Sequence, residues 1–231
     1  MKICIDAGHD YYVGDKGASA YSTHESIVSF KIADKLRRLF ENSNYSVVMT
    51  RQYSASSLGQ TPIASRNKRI EIANNSLCDL FLSIHCGSHC SIRHNGTETQ
   101  ISVSGGEEEK LATKIQQRIV NKLSTNDRGV RVRNAELLKC VKAPAILIET
   151  AFITNENDVK LLRTRSDDFA QAIYEGVLEY YNINVSDKKM TVAEAIKIIQ
   201  SRARLEDDDV KYLHYYNNSD DLLIKLAKAM K

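Results

Sequence analysis

Three short apolar runs in this chain each stop at a group able to bind a metal or move a proton. Lys2-Ile3-Cys4-Ile5-Asp6-Ala7-Gly8 leads to His9, Leu80-Phe81-Leu82-Ser83-Ile84 leads to His85, and Ala145-Ile146-Leu147-Ile148 leads to Glu149. Runs of this length and content suit strands of a buried sheet. If they are neighbours in one sheet, residues far apart in sequence converge on a single edge, where open α/β sheets usually place their sites. Metal-assisted hydrolysis is therefore the first chemistry the pattern suggests.

The intervals between these runs read as alternating helices and strands. Strands are predicted over 2–6, 46–50, 79–84, 97–103 and 145–149. Helices are predicted over 25–43, from Thr61-Pro62 to Asn75, over 107–123, over 155–162, and along Phe169, Ile173, Val177 and Tyr180. Thr61 followed by Pro62 is an N-cap with proline at the first turn. Leu111, Ile115, Ile119 and Leu123 form a clean amphipathic stripe, and Gly105-Gly106 marks the turn before it. The alternation predicts a three-layer α/β domain over residues 1–182. Residues 183–190 are polar and aperiodic, as a linker is. Residues 191–231 predict a small all-α module with helices over 191–203, 208–215 and 219–230, the first opened by a Thr191/Glu194 capping box. A unit this small sits near the lower limit for independent folding, which points to docking on the main domain, a ligand or another chain and leaves homo-oligomerisation open.

Bulk properties remove several classes. The formal charge of +3 comes from 32 basic and 29 acidic residues, well mixed, so no polybasic tract points to nucleic acid. Five cysteines are an odd, scattered number and do not read as a disulfide framework. No run is long enough to span a bilayer, and the first residues carry too little apolar content for a signal-peptide core. The reading is synthesis in the cytoplasm with no membrane partner.

A hydrolytic zinc site takes three protein ligands, typically histidines and a carboxylate, and keeps a fourth position for water. His9, Glu25 and His85 can supply that set. Zinc polarises a scissile carbonyl and brings the pKa of its water toward about 7, while a carboxylate outside the ligand set shuttles the proton. Glu149 suits that second role. Each residue has a plainer reading. A lone histidine at a strand end is commonly a hydrogen-bonded structural group. Ser22-Thr23-His24-Glu25 is itself a capping box, and local sequence alone prefers Ser22 as N-cap with Glu25 reaching back to it. Glu149 closes an apolar strand, and a buried carboxylate without a partner is costly, which favours a functional or paired role. His85-Cys86-Gly87-Ser88-His89-Cys90 offers a rival thiolate site, although no second ligand pair accompanies it. Tyr11, Tyr12 and Tyr21 read as surface-loop aromatics before they read as a sugar platform, and Tyr212, Tyr215 and Tyr216 as packing residues of the small module.

Taken in order, a longer series of motifs matches a known pattern. Ile5-Asp6-Ala7-Gly8-His9, Asp15-Lys16-Gly17-Ala18, Glu25 opening a helix, Val48-Met49-Thr50-Arg51, Arg66 with Ile72-Ala73-Asn74, Leu82-Ser83-Ile84-His85, Asp127-Arg128-Gly129-Val130 and Pro144 to Glu149 resemble the zinc-dependent N-acetylmuramoyl-L-alanine amidases of the type 3 family. The resemblance covers about residues 1–181. It implies a mixed β-sheet flanked by helices, one Zn2+ held by His9, Glu25 and His85, and Glu149 as the catalytic glutamate. It also implies cleavage of the bond between N-acetylmuramic acid and L-alanine in bacterial peptidoglycan. Cys86-Gly87-Ser88 departs from the small residue and asparagine that often follow the second histidine. With no signal peptide, the arrangement resembles a phage or prophage endolysin that reaches the wall after release, with a host autolysin exported by another route as the runner-up, and the helical module serving wall targeting or oligomerisation. Two other readings keep the scaffold: a non-catalytic peptidoglycan-binding protein, and a zinc peptidase cutting within the stem peptide.

Overall fold

The computed structural model of the chain describes residues 1–11, 15–183, 192–203, 222–223, 226–227 and 230. The chain divides into two compact units, Met1–Val185 and Ser186–Lys231. In chain order the first contains β1 (Lys2–Ala7), β2 (Ser19–Ala20), β3 (Thr23–His24), α1 (Glu25–Glu41), β4 (Ser46–Met49), α2 (Pro62–Ser76) and β5 (Leu80–Gly87). These are followed by β6 (Thr97–Ile101), α3 (Glu107–Leu123), β7 (Asp127–Val132), α4 (Glu136–Cys140), β8 (Ala145–Phe152), α5 (Glu156–Thr164) and α6 (Ser166–Tyr180).

Six strands form one mixed sheet in the order β4-β1-β5-β8-β6-β7. β4, β1, β5 and β8 run parallel, β6 is antiparallel to β8, and β7 is parallel to β6. The pleat sorts each strand's side chains between two faces. Ile3, Ile5, Leu82, Ile84, Ile146 and Ile148 face the larger core with α1, α3 and α6. Cys4, Phe81, Ala145 and Leu147 face a smaller core with Ala73 of α2 and Leu137 and Leu138 of α4. Helices cover both faces, giving the three-layer α/β architecture, and burial on both sides explains why the central strands read as apolar runs.

Several local expectations are met. Thr61 caps α2, its hydroxyl accepting from the Ala64 amide at 3.1 Å, with Pro62 at the first helical position. α3 spans Glu107–Leu123 after Gly106, and Gly105 takes a φ of 86° at the turn. The Ser22 cap is corrected. α1 starts at Glu25 behind His24, which makes no side-chain cap bond, while Tyr21 and Ser22 have φ values of 49° and 56° in the turn joining β2 to β3. The sequence reading also missed β7 and α4. In the second unit α7 (Val192–Ala203) packs Ala195 and Ile199 with Leu223 and Ala227. Tyr12, Thr191, the helix over 208–215 and its tyrosines, and much of 219–230 lie outside the described residues. No helix among the described residues is long and apolar enough to cross a membrane.

Beneath the strand ends lies a buried polar network. Asp6 of β1, fully buried, accepts from Thr50 Oγ1 at 2.7 Å, Ser83 Oγ at 2.6 Å and Arg69 Nη1 at 2.8 Å. Burial pushes the Asp6 carboxyl up, but Arg69, His85 and the two hydroxyls outweigh it and hold it below the usual carboxylate range. Removing one partner of a buried pair strands the other charge, so Arg69→Ala should cost about 3–5 kcal/mol in urea unfolding. A cost below about 1 kcal/mol would show that hydroxyls alone satisfy Asp6. Because the folded carboxyl is depressed, its contribution is present above the unfolded value near ~3.9 and is lost as pH falls toward the folded value.

Candidate metal centre

His9 follows the end of β1 with a φ of 63°, a left-handed conformation that costs a residue with a Cβ about 1–3 kcal/mol. The turn is held from several sides. Arg51, fully buried, donates Nε to Ala7 O at 3.1 Å and Nη2 to Gly8 O at 3.2 Å and Ser26 O at 2.7 Å, tying the His9 turn to the first turn of α1. Asp15 Oδ1 lies 2.6 Å from His9 Nδ1, which fixes the ring and leaves Nε2 facing Glu25. Glycine is required at two places around this junction. A Cβ on Gly8 would stand 2.6 Å from the His85 ring, and one on Gly17 would stand 2.6 Å from Glu25 Oε2 and 2.7 Å from the His9 ring.

Glu25, buried at the start of α1, points into the same space. Its Oε2 accepts from the Ala18 amide at 2.8 Å and its Oε1 from the Cys86 amide at 3.0 Å. The same Oε1 lies 3.2 Å from His9 Nε2 and 3.1 Å from His85 Nδ1. These three residues are the one group of potential metal ligands of this kind among the described residues. Separations of 3.1–3.2 Å approach the roughly 3.3 Å edge of a tetrahedron with metal–ligand bonds of about 2.0–2.1 Å. Two imidazoles and one carboxylate are also the donor set of a catalytic zinc. His85 Nε2 is buried with no hydrogen-bond partner, an orphaned polar atom at the edge of the cluster. The residues fit a divalent zinc-like ion.

Charge at the cluster is arranged around Glu25. Burial pushes its carboxyl up, but His85 and His9 hold it well below the usual carboxylate range. Burial would lower His9, yet the carboxylates of Asp15 and Glu25 raise it to about 9. His85 is lowered, chiefly by burial. Metal-bound histidines usually donate the N–H of the second ring nitrogen to a carboxylate or carbonyl, and Asp15 accepts it from His9. Asp15→Asn should weaken zinc affinity about 10–100-fold, measured by competition with a chromophoric chelator. Unchanged affinity would remove Asp15 from this role.

Glu149 stands one strand beyond His85, the two being paired in the β5–β8 register. Its Oε2 is buried without a partner. Burial, then the carboxylates of Glu25 and Glu98, raise its pKa to about 8 against the pull of His9 and Arg133. A group with this proton affinity beside the His9, Glu25 and His85 cluster suits proton transfer. Cys86 is placed elsewhere: its thiol lies 3.7 Å from Thr150 Oγ1, and burial keeps it protonated. Cys90 is exposed on the loop where His89 and His94 stack with centroids 3.6 Å apart. Tyr11 and Tyr21 are exposed. Sequence reasoning quoted Asp6, Asp15, Arg51 and Arg128 within motifs but assigned them no task, and it passed over Arg69, Glu98 and Arg133.

Comparison with known proteins agrees with this geometry. The chain is 33% identical over 183 residues to the N-acetylmuramoyl-L-alanine amidase LytC of Bacillus subtilis, an alignment covering 78% of this chain and 35% of that protein. It therefore spans about a third of that relative's length. It is 25% identical over 227 residues to the endolysin of Bacillus phage SPP1, covering 94% of this chain and 81% of that one. Among solved structures, the CwlD amidase of Clostridioides difficile, determined in complex with the GerS lipoprotein, matches with a TM-score of 0.72 and 32% identity over 79% of this chain and 99% of that one. The sequence profile of the N-acetylmuramoyl-L-alanine amidases matches residues 3–179, and the chain belongs to that family.

Proposed function

We propose that the protein hydrolyses the amide bond between N-acetylmuramic acid and the L-alanine of the peptidoglycan stem. The observation that carries this reading is the convergence of His9, Glu25 and His85 beside a carboxyl, Glu149, whose Oε2 has no partner. His9, Glu25 and His85 would hold zinc. When bound, zinc supplies Lewis-acid polarisation of the scissile carbonyl and makes water a competent nucleophile near neutral pH. Asp15 keeps the His9 ring oriented, and Arg51 keeps the His9 and Glu25 segments in register. Glu149 takes a proton from the attacking water and returns it to the departing L-alanine nitrogen, so that the amine leaves neutral. Its high proton affinity suits the second half of that cycle, the return of the proton to the leaving nitrogen.

Metal-loaded protein incubated with purified cell walls should release new L-alanine amino termini, and a chelator should abolish the release. Mass spectrometry of the soluble products should show stem peptides beginning with free L-alanine. Fragments cut within the stem would indicate a peptidase, and absence of release would leave only a binding protein. The alignment with the SPP1 endolysin extends over 94% of the chain, which supports an endolysin that reaches the wall after release. The C-terminal unit would then attach the enzyme to the wall or pair subunits. Truncation after Asn184 should preserve cleavage of soluble muramoyl peptides while reducing co-sedimentation with walls or changing the oligomeric state. Unaltered binding and mass would assign the unit neither task.

A further inference from the structure

The row that joins His85 to Glu149 continues across the sheet. Glu149 is paired with Glu98 in the antiparallel β8–β6 register, so His85, Glu149 and Glu98 lie side by side on three neighbouring strands. Adjacent strands are about 4.8 Å apart, which puts Glu98 about 5 Å beyond Glu149 and about 10 Å from His85. Glu98 is buried yet carries two guanidiniums. Arg133 donates to its Oε1 from Nη2 at 2.7 Å and Nε at 3.2 Å, and Arg128 Nε lies 3.4 Å from its Oε2. Gln100 Nε2 adds a neutral donor at 3.1 Å. Arg128 is also seated over the Phe152 ring, 4.8 Å from its centroid. One arginine would neutralise Glu98. The second leaves the cluster with a net positive charge, and both side chains keep solvent exposure, 27% for Arg128 and 49% for Arg133.

Resting on the amidase reading, the position of this charge indicates which arm of the substrate runs along the row. The glycan is largely uncharged, whereas the stem peptide carries free carboxylates close to its first residue. An extended peptide advances about 3.3 Å per residue, so with the scissile nitrogen between His85 and Glu149 the second stem residue falls near Glu98 and its arginines. In that residue, a D-glutamate linked through its side chain, the α-carboxylate is either free or amidated. A planar guanidinium binds a carboxylate through parallel N–H donors and has no comparable charge-assisted contact with an amide. We propose that Arg128 and Arg133, presented by Glu98, form a carboxylate subsite for the second stem residue, so that the protein selects stems with a free α-carboxylate over amidated ones.

The test uses full-length, zinc-loaded protein and two soluble muramoyl tripeptides that differ only in whether the second residue carries a carboxylate or a carboxamide. The free carboxylate should give kcat/KM at least about tenfold higher, mostly through KM, with the advantage shrinking as salt rises. Arg133→Gln leaves Arg128 to neutralise Glu98 and should bring the KM ratio close to one, while Arg133→Lys should restore part of it. A wild-type ratio of one, or a ratio unchanged in Arg133→Gln, would overturn the subsite. A pair amidated at the third residue instead should show no such preference, and a preference there alone would also overturn it. If neither tripeptide is cleaved, the amidase reading fails, and calorimetric titration of the same pair decides the subsite separately. Tighter binding of the free carboxylate supports it, and equal binding refutes it.

Discussion

Glu149→Gln is expected to lower turnover by about 10²–10⁴-fold while the protein retains a full equivalent of zinc. The carboxamide keeps the size of the side chain and removes only its ability to exchange a proton. Glu149 is paired with His85 across the β5–β8 register but is not among the grouped ligands, so metal content and fold should survive. Relief of a buried carboxyl raised to about 8 should leave stability unchanged or slightly higher at alkaline pH. The sign follows from the shift. An acid whose folded pKa lies above its unfolded value of about 4.3 opposes folding increasingly as pH rises between the two values, and the opposition is complete above the folded one. Zinc content by elemental analysis, single-turnover cleavage of a soluble muramoyl peptide and thermal unfolding at two pH values check the three parts. Normal turnover with normal zinc would remove Glu149 from the proton-transfer role.

His85→Ala should abolish both metal retention and activity. Three donors converge at the centre, and the two left by this change, His9 and Glu25, would hold zinc only weakly. The variant also removes one of the two imidazoles that stabilise the buried Glu25 carboxylate. In the wild type, added zinc should raise the unfolding temperature with its concentration, because an ion that binds only the folded state stabilises it by mass action. The variant should lose that dependence. A stoichiometric zinc content after dialysis of His85→Ala would contradict the ligand assignment. The two variants also separate the roles, since one should lose turnover with the metal in place and the other should lose both.

Much of the architecture was legible because burial leaves a mark on sequence. β1, β5 and β8 are covered by helices on both faces and so read as apolar runs, while α3 faces the core on one side and shows it as a four-residue stripe. β7 left no such mark. Asp127–Val132 is a polar edge strand with Gly129 at a φ of 76° and a register shift against β6, so it lacks both the apolar run and the strict alternation. The β2–β3 hairpin, two residues on each side, is too short for any periodicity.

The candidate site divides along the same line. The sequence alone marked two histidines and a glutamate as the first polar groups after apolar runs, because burial on both faces leaves such runs. In the structure His9 follows β1, whereas β5 runs on to Gly87 and β8 to Phe152, so His85 and Glu149 lie within their strands rather than at the ends. The sequence left Glu25 between helix cap and ligand, since a carboxylate in the first turn of a helix satisfies both descriptions. Tertiary structure removed the Ser22 cap and brought Ala18 and Cys86 amides and two imidazoles to the Glu25 oxygens, the arrangement on which the proposed ligand role rests. Structure alone likewise decided that Asp15 orients His9, and that Glu98 with its two arginines continues the row from Glu149. Those relations depend on strand order and register, which follow from how the whole sheet packs and leave no trace in local spacing.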